Sequence, residues 1–302
     1  MSTPHEADVL VVGAGPSGVA ATLMAASLNL RTVLVDPAPV GGKLHAIGSL
    51  ENVPGNWSTG PQLAAGLAAD VERLQQAGRC SVIQGRAAVV TGYDDRAELA
   101  LEDGQILSAQ IVVIATGVTA LTPSNAEWIS APTATPLSPL WRSSPTDMEG
   151  RTYVLGGDRP LGTWLRTHRR SSTTLHVLCP PADDYKIAEV LGDERVRIVP
   201  VCHVTLSSMA YGDEWSLQVQ DRHGEHKTYV AKTVLNNLGN APARLDGLAS
   251  GEDGYCPPAQ QHPRIRVAGD LRSAQFQRVT TAQGSGAEAV LEPYYASLLK
   301  PC

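Results

Sequence analysis

A glycine loop close to the start of this 302-residue chain constrains its fold more than any other feature. Gly13-Ala14-Gly15-Pro16-Ser17-Gly18 follows a valine-rich apolar run at 8–12 and opens an alanine- and leucine-rich stretch at 17–28. The run reads as a buried parallel strand and the stretch as a helix. A second apolar run at 31–36 ends on Asp36. Two parallel strands need a crossover, so strand, loop, helix and strand form one right-handed βαβ unit. Each glycine has its own reason. Gly13 allows the tight turn, Gly15 lets backbone approach a pyrophosphate, and Gly18 lets helix and strand pack closely. The helix N-terminus supplies amide donors and a partial positive charge, and Asp36 can accept hydrogen bonds from a ribose diol. The segment is a dinucleotide site, and on these residues alone FAD and NAD remain equal.

Bulk properties close off other classes. The formal charge is −6, from 30 acidic residues against 24 lysines and arginines. An acidic balance argues against nucleic acid, and no polybasic patch or run of about 18 apolar residues argues for a membrane. The first eight residues carry two acids and no basic n-region, so the expected compartment is the cytoplasm. The five cysteines, at 80, 179, 202, 256 and 302, form no Cys-x-x-Cys and no metal-ligand spacing. No metal is expected, and the thiols read as reduced.

The remainder reads as two βαβ-containing domains. After a loop at 37–60 comes a helix at 61–76, a strand at 80–83, and alternating strands at 87–93 and 97–101. A strong apolar strand at 111–115 follows. A proline- and serine-rich segment at 122–145 leads to a second strand–loop–helix unit, with a strand at 152–155, Gly156-Gly157, a helix at 161–170 and a strand at 173–178. Further strands are read at 196–199, 203–207, 216–220, 229–235 and 264–268, with a last helix at 280–297.

Four more motifs choose between FAD and NAD. They are Gly41-Gly42-Lys43-Leu44, Glu51-Asn52-Val53-Pro54-Gly55, Ala115-Thr116-Gly117, and Val267-Ala268-Gly269-Asp270 followed by Gln277-Arg278-Val279. In this order and over nearly the whole chain, they resemble the low-molecular-weight thioredoxin reductases. The resemblance implies an α/β fold: a two-domain thioredoxin-reductase-like flavoprotein with two Rossmann-like, three-layer nucleotide-binding domains. It implies FAD, held by Gly13, Gly15, Pro16, Ser17, Gly18, Asp36, Gly42, Lys43, Leu44, Asn52, Ala115, Thr116, Gly117, Gly269, Asp270, Gln277, Arg278 and Val279. Asp270 would contact the ribityl chain, and the helix start at 277–279 would face the pyrimidine end of the flavin. It also implies that an FAD domain at 1–118 and 241–302 is split by an NAD(P)-binding-like domain at 119–240. The hinges would be Gly117-Val118-Thr119 and Leu238-Gly239-Asn240. A homodimer is implied as well.

Two departures matter. Where the family carries its redox-active Cys-x-x-Cys, this chain reads Ser130-Ala131-Pro132-Thr133-Ala134-Thr135. Neither proline nor threonine can be a thiolate. Where the family carries its second glycine loop, this chain reads Gly156-Gly157-Asp158, and a carboxylate beside a diphosphate is repulsive. His168-Arg169-Arg170 precedes the second strand of that domain, where it reads as cations at a helix C-terminus.

These residues predict a FAD-dependent oxidoreductase in which the flavin acts directly on a small organic substrate or on oxygen, with a biosynthetic pathway as its expected setting. The alternatives are electron transfer linked to NAD(P)H or to a protein donor such as ferredoxin, and a flavin-binding sensor without turnover. Lys43 and His45 are the catalytic candidates, one to stabilise an anionic reduced flavin and one to move a proton. A solvated loop is the competing reading for both. Trp128, Trp141 and Trp164 suit either an aromatic substrate pocket or core packing, and Cys302 either an electron shuttle or no role.

Overall fold

The computed structural model describes residues 7–133, 135–208 and 214–299. The chain forms two compact units, one of residues 1–119 with 242–302 and one of 120–241.

In the first unit, β1 (Ala7–Val12) is buried along its whole length. Its residues alternate between two cores: Val9 and Val11 enter one cluster, Leu10 and Val12 the other. A strand covered on both faces explains why the run is apolar throughout. β1 leads into α1 (Pro16–Ser27) and then β2 (Thr32–Asp36). The amphipathic α2 (Gly60–Gln76) buries Leu63, Leu67, Val71 and Leu74 on one face. The Thr59 hydroxyl caps it, accepting from the Gln62 amide at 3.3 Å. Next come β3 (Cys80–Gln84), β4 (Ala87–Gly92), β5 (Ala97–Leu101) and β6 (Ile106–Ile114). The sheet order is β3-β2-β1-β6-β5-β4.

The strand read at 111–115 is longer than the sequence indicated. The extra residues from Ile106 alternate in burial and pair antiparallel with β5, which hides them from a search for a continuous apolar run. The chain leaves the unit along β7 (Val118–Ala120).

The second unit contributes β8 (Ile129–Ser130), β9 (Thr152–Leu155), α3 (Pro160–Thr167), β10 (Leu175–Cys179), β11 (Val196–Pro200), β12 (His203–Ser208), β13 (Trp215–Gln220), β14 (His226–Ala231) and β15 (Thr233–Asn236). A parallel sheet runs β11-β10-β9-β15, and a second sheet runs β14-β13-β12-β8. The single strand read at 229–235 is in fact two, broken at Lys232. β14 pairs antiparallel with β13, while β15 joins the parallel sheet beside β9. The helix read to Arg170 ends at Thr167. Its last carbonyls are satisfied from a distance: Arg195 donates to His168 O at 2.8 Å and Leu165 O at 3.2 Å. Arg195, rather than the local basic triplet, serves the helix end.

The chain returns along β16 (Asn240–Pro242) to the first unit. β17 (Ile265–Val267) pairs with the second half of β6, and α4 (Val279–Tyr295) packs along α1. The approach of the two helices is close. A Cβ on Gly286 would overlap the Ser17 carbonyl oxygen. Among the described residues no helix is long and apolar enough to cross a membrane, and no group of three or more His, Cys, Asp or Glu is placed to hold a metal.

Candidate functional site

The first glycine loop is held in place by contacts that only glycine permits. Gly13 has φ +102°, and a Cβ there would lie 2.5 Å from the Ala115 carbonyl oxygen. A Cβ on Gly18 would overlap the Gly13 carbonyl oxygen. Helix α1 therefore starts tight against β1, with Gly15 as N-cap and Pro16 in its first turn. The Asp36 carboxylate clamps the loop. Its Oδ2 accepts from the Ala14 amide at 2.6 Å and its Oδ1 from the Ala38 amide at 2.7 Å.

This loop forms one wall of a cleft of about 690 Å³. The cleft collects residues from every motif named above: Gly13, Gly15, Pro16, Ser17 and Asp36; Gly42, Lys43, Leu44 and Asn52; Ala115, Thr116 and Gly117; Gly269, Asp270, Gln277, Arg278 and Val279. Gly18 lies behind the wall. His45 is off the cleft, with Nε2 2.9 Å from the Val40 carbonyl oxygen, so Lys43 is the member of that pair at the site. Both lie on the short 3₁₀ turn Gly42–Ala46.

Two observations test whether the cleft fits a dinucleotide. First, a Cβ on Gly15 would meet nothing within 4 Å, although Gly15 lines the cleft. The glycine keeps open a space that a ligand backbone-close to the loop would take. Second, the Ser17 hydroxyl is buried on the cleft wall without a hydrogen-bond partner. Such a group carries a desolvation cost that a phosphate oxygen would relieve. The first-turn amides of α1 likewise have no carbonyl within the helix to donate to. The residues present fit a pyrophosphate here, with Asp36 placed for a ribose.

At the far motif, the Gly269 amide donates to Ser285 Oγ at 2.8 Å, and Asp270 lies next to it on the cleft. Burial raises the Asp270 pKa, and the charges of Lys43 and Arg278 work against that rise. A carboxyl whose folded pKa exceeds its ordinary 3.8 holds its proton more tightly when folded. Its ionisation costs stability above the folded pKa, and that cost vanishes as pH falls below the ordinary value. The Asp270→Asn apoprotein is therefore expected to be more stable than the parent at neutral pH, with the gap closing in acid. Denaturant titrations across pH measure this; a gap that widens in acid would refute it.

Gln277 is anchored from behind. Its Nε2 donates to Ser273 O at 3.0 Å, Tyr255 Oη at 3.2 Å and Asp270 O at 3.3 Å. Two of these are carbonyls that only accept, which fixes the nitrogen and leaves Oε1 as an acceptor. Tyr255→Phe removes the hydrogen bond to Gln277, worth about 1 kcal/mol. FAD binding is expected to weaken about fivefold, measured by flavin fluorescence titration.

Several cleft residues escaped sequence reading. Arg86, Glu102 and Arg244 line it from connections without a motif, and Arg86 and Glu102 lie 3.7 Å apart as an ion pair. Only the fold brings them together. In the second unit, Thr135 Oγ1 donates to Pro132 O at 2.7 Å, a local turn with no thiol. Ala134 and Cys302 lie outside the described residues. Trp164 is core, 3% exposed with Nε1 donating to Ser143 O at 2.8 Å. Trp128 packs on a core cluster, and Trp141 is exposed under Arg142. In the second glycine loop the Gly157 amide donates to Asp183 Oδ2 at 2.9 Å, as the Ala14 amide does to Asp36 in the first.

A largely parallel sheet with a glycine loop at its β1–α1 turn, completed by a distal Gly-Asp motif, defines a dinucleotide-binding α/β fold. Residues 8–121 match the FAD dependent oxidoreductase family. Over 96% of its length the chain is 23% identical to the bifunctional thioredoxin reductase/thioredoxin of Mycobacterium leprae (strain TN), covering 65% of that protein. Over 117 residues, 38% of the chain and 37% of the relative, it is 35% identical to the thioredoxin reductase of Mycoplasmopsis pulmonis (strain UAB CTIP). The chain thus spans less than two thirds of each of these relatives. Its fold superimposes on the Lactococcus lactis thioredoxin reductase (FR conformation) with a TM-score of 0.68 at 18% identity, covering 96% of this chain and 98% of that one. For the T. acidophilum thioredoxin reductase the TM-score is 0.67 at 21% identity, covering 97% and 99%. The chain has the fold of these thioredoxin reductases, its residues 8–121 resemble the FAD dependent oxidoreductase family, and the lining of the cleft fits FAD.

Proposed function

We propose that this protein is an oxidoreductase whose bound FAD exchanges electrons directly with a small organic substrate or with oxygen, without a Cys-x-x-Cys relay. The observation that carries the reading is the single cleft: residues from all the flavin motifs line it, while no pair of cysteines in the 302 residues has the relay spacing. FAD supplies the hydride or electron exchange. The chain's own groups bind and tune it. The α1 N-terminus and Ser17 hold the diphosphate, Asp36 takes the ribose hydroxyls, and Asp270 takes a ribityl hydroxyl. Lys43 and Arg278 place positive charge on the cleft, which favours added negative charge there.

Stoichiometric reduction tests this. Anaerobic dithionite titration of the holoprotein is expected to bleach the flavin at one two-electron equivalent per FAD, with no new thiols by a thiol reagent. Uptake of a second two-electron equivalent with two thiols appearing would refute it. The Asp158 carboxylate, at the place of Gly15 in the second loop, favours one further reading, a protein donor such as ferredoxin in place of NAD(P)H. Rapid flavin bleaching by reduced ferredoxin but not by NADPH would support that reading.

A further inference from the structure

The cleft has one end that none of the flavin motifs accounts for. The carboxyl ends of the parallel strands stand in the order β3, β2, β1, β6, with β17 beside β6. With the diphosphate on the loop after β1 and the ribityl chain at Gly269-Asp270 after β17, the adenosine half runs the other way, over the end of β2. Asp36, the ribose acceptor, closes β2. It partners Gln84 of β3, and its carbonyl oxygen accepts from the Gly85 amide at 3.3 Å. Whatever extends past the ribose therefore meets the turn at Gly85 and Arg86. In FAD that part is adenine.

Three segments far apart in sequence line this end. Arg86 stands between β3 and β4, Glu102 follows β5, and Arg244 follows β16. The Glu102 amide donates to the Arg86 carbonyl oxygen at 2.9 Å, so the backbone is held both before and after Arg86. The Asp246 amide donates to Ala88 O at 3.1 Å and Asp246 O accepts from Val90 at 2.9 Å, which runs the segment after Arg244 beside the start of β4. The Arg244 guanidinium is tied to Ser250 Oγ at 3.1 Å. That of Arg86 meets Glu102 at 3.7 Å, beyond hydrogen-bond length, and the two side chains are 62% and 61% exposed. An exposed pair of this length adds little to stability.

A planar cation with a fixed backbone and a loose end, next to a ribose acceptor, suits stacking on a flat π face. A phosphate is the poorer match here. It has its own donors at the start of α1, and the Glu102 carboxylate beside Arg86 would repel it. We propose that Arg86 stacks on the adenine of FAD, with Glu102 as the positioning residue that aims its guanidinium. The proposal rests on the reading that FAD occupies this cleft and adds the residue that grips its adenosine half. It does not depend on how the flavin exchanges electrons.

The test titrates the full-length chain, freed of flavin, with FAD by flavin fluorescence and with ADP by calorimetry. ADP carries the adenosine and the diphosphate without the flavin, and the parent is expected to bind it with a Kd below about 1 mM. Arg86→Ala is expected to weaken both ligands about 5- to 30-fold. Arg86→Lys keeps the charge and loses the plane, and is expected to recover less than half of that loss on a logarithmic scale. Glu102→Gln is expected to cost less, and to cost nothing further when added to Arg86→Ala, because it acts through Arg86. An alanine variant that holds FAD within twofold of the parent would overturn the proposal. So would full recovery by lysine, a loss for FAD with none for ADP, or a parent that binds ADP more weakly than that limit. A Glu102→Gln loss that adds in full to that of Arg86→Ala overturns the positioning role. Should the alanine variant not fold, lysine decides: affinity equal to the parent's refutes the stacking and a looser hold supports it. A parent that takes up no FAD would instead sink the flavin reading, so the two failures are separately visible.

Discussion

Alanine at Gly15 is expected to leave the apoprotein folded and to weaken its hold on FAD, whereas alanine at Gly18 is expected to undo the fold itself. The two glycines are three residues apart in one loop and look equivalent in the motif. The surroundings separate them. A methyl at Gly15 enters open cleft, and its backbone sits at an ordinary φ of −75°. Its effect on apoprotein stability should stay within about 1 kcal/mol, the scale of an N-cap change. The same methyl stands where the diphosphate must approach, and crowding of that kind costs about 1–3 kcal/mol, or about a 5- to 150-fold loss in FAD affinity. At Gly18 the methyl overlaps a backbone carbonyl, which cannot rotate away as a side chain can. There the cost should be about 3 kcal/mol or more and should fall on stability. Thermal denaturation of the apoproteins and FAD titrations measure the two effects separately. A Gly15→Ala protein that retains FAD as tightly as the parent would mean that the diphosphate does not lie on this loop.

The second large effect belongs to the other unit. Trp164→Ala empties a site that is 3% exposed among Leu140, Leu161, Leu175 and Ile187, and it orphans the Ser143 carbonyl. Truncation of a buried tryptophan costs about 3–5 kcal/mol. In a unit of this size that corresponds to a fall of about 10–20 °C in its melting transition. FAD should remain bound through that transition, because the first unit has its own sheet and its own two cores. Calorimetry with flavin fluorescence followed in parallel shows whether the two events separate. Release of FAD together with the lowered transition would refute the independence. Trp164→Phe, which keeps most of the apolar burial, should cost far less.

What could be read from the sequence divides along physical lines. The flavin cleft was legible because its residues are required locally. A glycine that must turn, a glycine that must yield space and an acid at a strand end each leave a mark at a fixed spacing. Strands buried on both faces, such as β1, were also plain. Features that depend on a distant partner were not. The first half of β6 is half-buried and becomes a strand through its pairing with β5. The break at Lys232 follows from two neighbouring strands joining different sheets. The basic triplet 168–170 suggested a helix end held by its own cations, while Arg195 does this from 27 residues away. Asp158 signalled that the second loop had changed. Nothing in the local pattern announced that Asp183 would hold the Gly157 amide, because that follows from how the chain folds back after β10.

The discontinuity of the first unit also bears on how the protein is made. Its opening strand, glycine loop and Asp36 leave the ribosome first, but β17 completes the sheet on β6 and α4 completes the packing on α1. Gly269, Asp270 and the helix start at Val279 all lie beyond the inserted unit. A nascent chain stopped between residues 119 and 268 has the phosphate loop and lacks the side of the cleft built by Gly269, Asp270 and Gln277 to Val279. Domains fold as units in the order they are synthesised, so the inserted unit can complete itself before the one that surrounds it. Cofactor loading therefore waits for the segment from Gly269 onward, which separates a loaded cleft from an empty scaffold.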